Sequence, residues 1–266
     1  MNETYFVYRE PESIEELKSL LLLRYSVYRE SRLRHYVEKD ASSGIELDCY
    51  DVRSRHFGLY KHENGSSRPV GYIRIVFDEE AACANEIRSI AEEVPGLADV
   101  VNETPVVPFP LMTCFPDAEI VHQHYQMAKK SGRRTVEAGR LSLERPSRSI
   151  SVAKFMASST IAFGVVSNIK EALLTCVPTH VGFYQPLGFH QCLGTEKHFV
   201  PDWGVELYCQ HYTVERLQGV AKDMVLRKAE AYYNTGRVCF SPSNPDHFYA
   251  PTQSYISSRP RLVALA

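Results

Sequence analysis

Little in the sequence points to a membrane, a nucleic acid or the outside of the cell. The apolar run at residues 20–23 is far too short to span a bilayer, and the opening MNETYFVYREPES is too charged for a secretory signal. Neither sign of charge prevails, because 30 lysines and arginines face 32 aspartates and glutamates. A nucleic-acid-binding protein usually shows a marked basic excess. We therefore expect a cytoplasmic protein with no integral membrane segment and no nucleic-acid partner.

The sequence also lacks the spacings of common metal and disulfide sites. Its 7 cysteines form no CxxC pair and no zinc-ligand pattern, so they are expected to be buried thiols. His122 and His124 stand two residues apart in a predicted helix, where they would face different sides. The sequence therefore predicts no metal site.

What the sequence does contain is a strand pattern with two charged residues, VEAGRLSLER at residues 136–145. Side chains alternate along a strand, so Glu137 and Arg140 would point to opposite faces. A bulge at Gly139 would reset the alternation and bring both to one side, and glycine within a strand is where a bulge is expected. We interpret the segment as the floor of an active site; the alternative is a surface strand with two solvated charges.

A second group of charged residues precedes this strand. A helix is predicted to begin at Ser13, an N-cap candidate with Glu16 three residues later, and Arg24 lies on its apolar stripe. A core-facing arginine needs a carboxylate or carbonyl partner unless it reaches solvent from the rim of the helix. Three carboxylates that could pair with it crowd into six residues: Glu46, Asp48 and Asp51.

The remaining patterns predict a mixed α and β domain. Residues 55–61 and 69–77 form a predicted hairpin with an Asn-Gly turn, and Arg74 lies on one face of its second strand. A short helix and an irregular crossing are expected over 79–113. Further predicted helices lie at 115–130, within 146–168, at 179–189 and at 214–233, and further strands at 171–177 and 204–212. An extended, proline-containing tail would follow. This order indicates a mixed sheet with helices on its faces.

Four short motifs follow one another along the chain: R-Y-S-V-Y at 24–28, E-L-D-C-Y-D at 46–51, G-Y-I-R at 71–74 and E-A-G-R at 137–140. In order and spacing they resemble those of the acyl-homoserine-lactone (autoinducer) synthases, the N-acyl amino acid synthases and the acyltransferases encoded with the exosortase system. These families are similar to the GNAT N-acyltransferases, and GFYQPLGF at 182–189 also resembles ordinary GNAT enzymes. The resemblance covers about residues 10–212. It implies an α+β fold with a mixed, mostly antiparallel sheet flanked by helices, an acyltransferase domain over residues 1–213 and a helical extension over 214–266.

Two departures from these families bear on the substrates. The lactone synthases usually carry a tryptophan shortly after the first motif, where this chain has His35 and Tyr36, and its single tryptophan is Trp203. Enzymes that bind coenzyme A follow the central strand with a glycine-rich pyrophosphate loop, whereas this chain has RPSRSIS. The resemblance therefore implies the phosphopantetheine thioester of acyl carrier protein as donor, rather than coenzyme A, with no permanently bound cofactor. Carrier proteins are acidic. The basic residues that would dock one, or that are ordinary surface, are Arg145, Arg148 and Lys154.

The resemblance also implies a division of roles. Glu137 is the expected general base, because the attacking amine must lose a proton and a partly buried carboxylate can take it. Tyr184 is expected to protonate the leaving thiolate, or else to be a packed aromatic residue. The backbone N–H groups around Leu141 and Leu143 would bind the oxyanion. The residues that would surround the acceptor and hold its carboxylate, or form a purely structural network, are Arg24, Tyr28, Asp48, Asp51, Arg74 and Arg140.

These expectations together predict an enzyme that transfers a fatty acyl group from acyl carrier protein to the amine of an amino acid or similar small acceptor. The acyl chain is expected in an apolar slot between the central strand and the helix through 152–163. Two alternatives stay open. One is a homoserine-lactone synthase that uses S-adenosylmethionine, and the other is a non-catalytic module that binds an acyl chain or a carrier protein.

Overall fold

A mixed sheet runs through the centre of the structure, a computed structural model that describes residues 4–37, 43–79, 81–115, 118–192 and 194–243. Its strands within these ranges are β1 (Tyr5–Arg9), β2 (Ser54–Glu63), β3 (Ser66–Val76), β4 (Thr135–Leu143), β5 (Glu171–Cys176), β6 (Phe189–Gln191), β7 (His198–Val200), β8 (Val205–Thr213) and β9 (Arg237–Phe240). The α-helices are α1 (Ile14–Arg29), α2 (Arg34–Val37), α3 (Ala84–Glu92), α4 (Leu97–Asn102), α5 (Ala118–Lys130), α6 (Ile150–Val166), α7 (Val181–Tyr184) and α8 (Gly219–Thr235). In the described ranges, no helix has the length and apolar character needed to cross a membrane. Most of the predicted tail lies beyond residue 243, outside the described residues, and β9 occupies its beginning.

The strand order is β6-β8-β5-β4-β3-β2-β1-β9, and β7 also pairs with β8. Strands β4 and β5 run parallel, and the other described pairs are antiparallel. This is the mixed, mostly antiparallel sheet that the sequence predicts. Because β9 pairs with β1, the segment after β8 returns across the molecule and ends at the opposite edge of the same sheet.

Helices cover both faces of the sheet. On one face, called the α6 face, α6 and α8 pack over an apolar cluster that includes Phe57, Ile73, Phe163 and Tyr232. On the other, called the α1 face, helices α1, α3 and α4 share a second cluster and α5 contributes to a third. The core is therefore divided by the sheet into two apolar layers, and a site in the plane of the sheet can reach both.

Local sequence signals account for the first elements of the chain. The Ser13 side chain caps α1 by accepting a hydrogen bond from the backbone N–H of Glu16 at 3.2 Å. Asn64 and Gly65 make the two-residue turn between β2 and β3, with positive φ angles of 53° and 76°. The predicted start of the first helix and the predicted hairpin are both confirmed.

The structure differs from the predicted elements in two places away from the central strand. The predicted helix at 179–189 is reduced to the single turn α7, with 3-10 turns at Pro178–His180 and Gln185–Leu187 on either side. Pro186 explains the second interruption, since proline has no N–H for a helix and its ring clashes with the preceding turn. The sequence also does not predict β1 or β9, which are short strands that pair across the whole length of the chain.

The parallel pair opens after three residues. The register of β4 and β5 joins residues 135–137 to residues 171–173 and goes no further, although both strands continue. Beyond this point the two strands face a cavity instead of each other. The backbone groups that point from β4 toward β5 are therefore free of ladder hydrogen bonds over its second half, and a ligand can lie between the strands.

A β-bulge lies on the other side of β4. Gly139 pairs with Arg74 and Ser142 with Tyr72, so two residues of β4, Arg140 and Leu141, oppose one residue of β3. Arg140 has a φ of 62°, in the left-handed region. The bulge falls one residue later than the predicted position at Gly139, but it has the predicted effect of bringing the side chains of Glu137 and Arg140 to the same face.

Candidate active site

A cavity of about 250 Å³ occupies the opening between β4 and β5 and reaches both faces of the sheet. The part on the α6 face, called the α6 lobe, is lined almost entirely by apolar side chains. Its lining includes Ile73, Ile75, Val136, Ala138, Ala157, Thr160, Ile161, Gly164, Ile169, Ala172 and Leu174. The part on the α1 face, called the α1 lobe, is lined by charged and aromatic residues as well: Tyr28, Leu33, Arg74, Pro110, Leu111, Glu137, Arg140 and Trp203. One cavity thus joins an apolar and a polar compartment.

Glu137 lies in the α1 lobe at the point where the strands separate. The residue is 6% exposed, and its Oε2 accepts a hydrogen bond from the backbone N–H of Leu111 at 2.9 Å. Burial raises the pKa of Glu137 to about 7, an effect that the Leu111 N–H and the guanidinium groups of Arg74 and Arg140 partly oppose. A carboxyl group with this pKa is about half ionised at neutral pH, the condition in which a general base works best.

Three arginines and three carboxylates form an ion-pair network behind the α1 lobe. Arg24 binds Asp51 through both carboxylate oxygens, at 2.9 and 3.0 Å, and its Nε lies 2.6 Å from Glu46. Arg74 binds Asp48 through two hydrogen bonds of 2.7 Å and lies 2.8 Å from Asp51. Bidentate pairs of this kind fix the orientation of both partners.

Arg140 completes the network from the bulge. Its guanidinium lies 2.9 Å from Asp48 and 3.2 Å from Glu46. Burial alone would raise the pKa of Asp48 and of Asp51. The neighbouring arginines outweigh this effect: they hold the pKa of Asp51 well below its usual range and lower the pKa of Asp48. Asp48 and Asp51 therefore stay ionised, and the network links α1, β3, β4 and the segment before β2.

A buried histidine that the sequence did not single out is hydrogen-bonded to the network. His56 Nδ1 lies 2.7 Å from the hydroxyl of Tyr72, which accepts a hydrogen bond from Arg24 at 2.9 Å. The other ring nitrogen of His56 lies 3.1 Å from the backbone oxygen of Asp51. Burial lowers the pKa of His56 to about 4, so the ring is neutral and completes a chain of hydrogen bonds without adding charge.

Tyr184 and Tyr28 reach the cavity from opposite sides of the sheet. Tyr184, at the end of α7, contacts Phe183 and Phe189 edge to face, with ring centroids 4.9 and 5.7 Å apart. Burial raises the pKa of both tyrosines, so both phenols stay protonated at neutral pH. Tyr184 therefore carries a proton that it can donate, whereas Tyr28 lies beside the charged residues of the α1 lobe.

The structure brings only some of the predicted site residues to the cavity. Of the residues predicted to bind substrate, Tyr28, Arg74, Arg140 and Leu141 line it. Leu143 does not: it is paired with Gly71 and packs in the core beneath α6. The predicted residues that lie behind the lining, in the ion-pair network, are Arg24, Asp48 and Asp51. These three can act on a substrate only through the arginines that reach the cavity.

Trp203 is the main lining residue that the sequence did not assign. It ends a 3-10 turn, Pro201–Trp203, and its ring centroid lies 5.9 Å from the guanidinium carbon of Arg140. The only tryptophan of the chain thus lies in the α1 lobe, far in sequence from the first motif. Its rarity was the one available signal, since nothing in the periodicity of the chain places a residue of this loop beside β4.

The three predicted docking residues surround the start of α6. Arg145, Arg148 and Lys154 are exposed, and Arg148 donates a hydrogen bond to the backbone oxygen of Leu143 at 3.0 Å. Ile150, in the first turn of α6, is 71% exposed between them. Basic side chains and an exposed isoleucine therefore lie together where β4 ends and α6 begins.

The described residues contain no cluster of three or more His, Cys, Asp or Glu side chains that could hold a metal ion. The seven cysteines all lie in the described ranges, and none of them forms a disulfide bond. Cys176, Cys192, Cys209 and Cys239 are buried, as predicted, whereas the other three are only partly buried.

Most of the network lies in one segment that precedes β4. Residues 23–103 match the acetyltransferase (GNAT) domain family. This segment contains the last part of α1, helices α2 to α4, the hairpin of β2 and β3, and all of the network except Arg140. With the observed sheet, the match confirms the predicted GNAT-like fold and the prediction of an acyltransferase enzyme, whereas the domain bounds 1–213 and 214–266 stay a prediction.

Several solved structures are similar to this chain. FeeM, an N-acyl amino acid synthase from uncultured soil microbes, is 13% identical over 86% of this chain and 98% of its own, with a TM-score of 0.48. BjaI, a CoA-dependent acyl-homoserine lactone synthase, is 14% identical over 81% of this chain and 82% of its own, with a TM-score of 0.49. ElaA of Escherichia coli is 16% identical over 80% of this chain and 99% of its own, with a TM-score of 0.42. No curated protein sequence matches the chain.

Proposed function

We propose that the protein is an N-acyltransferase that moves a fatty acyl group from the phosphopantetheine thioester of acyl carrier protein to the amine of a small acceptor such as an amino acid. The observation that carries this proposal is the position of Glu137. It is a buried carboxyl group with a pKa of about 7, and it lies at the junction of an apolar and a polar compartment. A fatty chain fits the first compartment, and an amine that must lose a proton fits the second.

The donor lies between the separated strands in this proposal. The phosphopantetheine arm enters where β4 ends and α6 begins, and the acyl chain extends into the α6 lobe. Helix α6 and the neighbouring strands line that lobe with apolar residues, and Thr160 is the exception among them. The hydrophobic effect therefore favours burial of the acyl chain there. The thioester carbonyl then lies near Gly139 and Leu141, beside Glu137.

Glu137 acts as the general base. Its Oε2 is held by the Leu111 N–H, which leaves Oε1 as the acceptor for a proton of the amine. A Cβ atom at Gly139 would lie 3.7 Å from that Oε1, so the missing side chain of Gly139 keeps the approach to it open. The amine nitrogen attacks the thioester carbon as its proton passes to Glu137, directly or through a water molecule.

The tetrahedral intermediate then collapses. Its oxyanion accepts hydrogen bonds from backbone N–H groups of β4 around Leu141, which have no ladder partner on the side of β5. The carbon–sulfur bond breaks, and the thiolate takes a proton from the phenol of Tyr184, which regains one from protonated Glu137 by way of solvent. The products are an amide and the free phosphopantetheine thiol.

The acceptor binds in the α1 lobe. Of the three arginines in the network, the side chains of Arg24 and Arg74 are 0% and 1% exposed, whereas that of Arg140 is 10% exposed. Arg140 is therefore the proposed contact for the carboxylate of an amino acid. Trp203 and Tyr28 supply the aromatic part of the lining of this lobe.

Acyl carrier protein is the proposed donor because of how α6 begins. The N–H of Val152 is already bonded to the capping side chain of Ser149 at 3.2 Å, and the preceding turn has no glycine with which to cradle a pyrophosphate. The exposed basic residues around Ile150 instead suit an acidic protein surface.

The docking proposal is tested by charge reversal. We expect the triple variant Arg145→Glu, Arg148→Glu, Lys154→Glu to raise KM for acyl carrier protein about tenfold or more, while kcat/KM for a free acyl-pantetheine thioester changes little. Lys130→Glu, an exposed lysine before the opposite end of β4, is the control. Equal losses with both donors would show that the basic residues do not dock the carrier.

The function itself is tested by mass spectrometry of the products. Purified protein is incubated with long-chain acyl carrier protein, a mixture of amino acids and S-adenosylmethionine. We expect an N-acyl amino acid whose mass names the acceptor. An acyl-homoserine lactone would instead identify S-adenosylmethionine as the amine donor, and retention of the acyl chain without any amide would identify a binding module.

A further inference from the structure

The α6 lobe is closed at one end. Residues 135–137 of β4 pair with residues 171–173 of β5, so no ligand can pass between the strands there. Val136 and Ala172 of these paired segments, with Ile169 from the loop before β5, line the closed end. A chain that enters from the start of α6 must stop at this end.

Gly164 faces the closed end from the helix. It belongs to α6 and lines the same cavity, about 10 Å along the helix from Ala157, the first residue of α6 in the lining. Its φ is not among the positive values of the chain, so the backbone does not require glycine at this position. Glycine destabilises a helix relative to alanine, so another reason for the missing side chain is needed.

That reason is space. A Cβ atom built at Gly164 meets only the Cβ of Ile169, at 3.8 Å, an ordinary van der Waals contact. A methyl group therefore fits without displacing the protein, and what it occupies is part of the cavity. A larger side chain would extend further into the lobe in front of Val136.

We propose that Gly164 sets the longest acyl chain that the enzyme accepts, because its missing side chain forms the end of the acyl compartment. This inference rests on the proposed function, in which the acyl chain occupies the α6 lobe. The substrate class that follows is a fatty acyl group, and each atom added at residue 164 removes room for the end of its chain.

The test is a chain-length profile. The values of kcat/KM for hexanoyl, octanoyl, dodecanoyl and palmitoyl carrier protein are measured for the wild type, Gly164→Ala and Gly164→Leu. We expect the ratio of the palmitoyl to the octanoyl value to fall severalfold in Gly164→Ala and about tenfold or more in Gly164→Leu, since one methylene in a tight pocket changes selectivity by that order. Gly182→Ala is the matched control and should keep the wild-type ratio. Gly182 does not line the cavity, and a Cβ atom added to it would meet nothing within 4 Å.

Two further measurements separate the possible failures. Gly164→Ala should melt at a higher temperature than the wild type, which shows that its altered profile does not come from unfolding. If Gly164→Leu does not fold, the ratio in Gly164→Ala decides alone. Absence of turnover by the wild type with every donor would overturn the proposed function, whereas wild-type turnover with an unchanged ratio in the folded variants would overturn the role of Gly164.

Discussion

Replacement of Glu137 by glutamine removes the proposed base while keeping the shape of the side chain. A positioned general base contributes roughly 10²–10⁴-fold to the rate, so turnover should fall by about that factor. The wild-type rate should rise with pH and level off above about pH 7, because the pKa of Glu137 is about 7 and only the ionised form takes a proton. Glu137→Gln should lose this rise.

The same substitution should affect stability in the opposite direction. The pKa of Glu137 rises from 4.5 to about 7 on folding. Below pH 4.5 the side chain is protonated in both the folded and the unfolded state, so its burial as a charge does not lower the free energy of unfolding. Between these values only the unfolded state loses the proton, and the stability of the fold decreases as the pH rises, by about 3 kcal/mol in all. Above about pH 7 both states are ionised and the loss is constant. Glu137→Gln avoids it, so near pH 8 its free energy of unfolding should exceed that of the wild type, less the cost of burying the added amide N–H groups.

Both results come from one set of samples, by pH–rate profiles and urea unfolding at about pH 5 and about pH 8. Glu206→Gln, a substitution at an exposed glutamate of β8 that pairs with Lys197, serves as the control and should change neither quantity. Full turnover by Glu137→Gln at neutral pH would refute the role of Glu137 as base. A variant that is inactive and also less stable at both pH values would show a structural role for the carboxylate.

Two other predictions concern the ion-pair network. Arg24→Met removes the fully buried partner of Glu46 and one of the two buried partners of Asp51, and should lower the free energy of unfolding by about 3–5 kcal/mol, as measured in urea. A loss below about 1 kcal/mol would mean that the network stabilises the fold little. Asp48→Asn removes a charge that raises the pKa of Glu137, and Arg140→Gln removes one that lowers it. The acidic limb of the pH–rate profile should therefore move to lower pH in the first variant and to higher pH in the second, and movement in the same direction would contradict the assignment of that limb to Glu137.

The sequence predicted those parts of the fold that local patterns decide. The first helix, the hairpin, the central strand and α6 lie close to their predicted positions because each has a cap, a turn or a continuous apolar period of its own. β1 and β9 carry no such signal. Each is an ordinary short apolar segment until the other strand of the pair is in place, and the two are separated by nearly the whole chain.

The candidate site shows the same division. Glu137 and Arg140 could be found from the sequence, since charges in a strand of small and apolar residues are unusual. The position of the bulge could not, because the left-handed conformation of Arg140 is favoured by ion pairs to Glu46 and Asp48 that lie far away in the chain. The cavity residues Trp203 and Gly164 are likewise defined only by what lies opposite them in space.

The return of the chain from β8 to β9 has a consequence for synthesis on the ribosome. Tyr232 of α8 and Phe240 of β9 complete the apolar layer beneath α6, where the rings of Phe155 and Phe240 stack at 4.9 Å. Until this last segment emerges, the nascent chain holds a finished hairpin and ion-pair network beside an uncovered apolar surface and an open sheet edge at β1. Such intermediates aggregate readily and are bound by chaperones. A premature stop after β8 would thus give a protein with every proposed catalytic group and a poor chance of surviving in the cell.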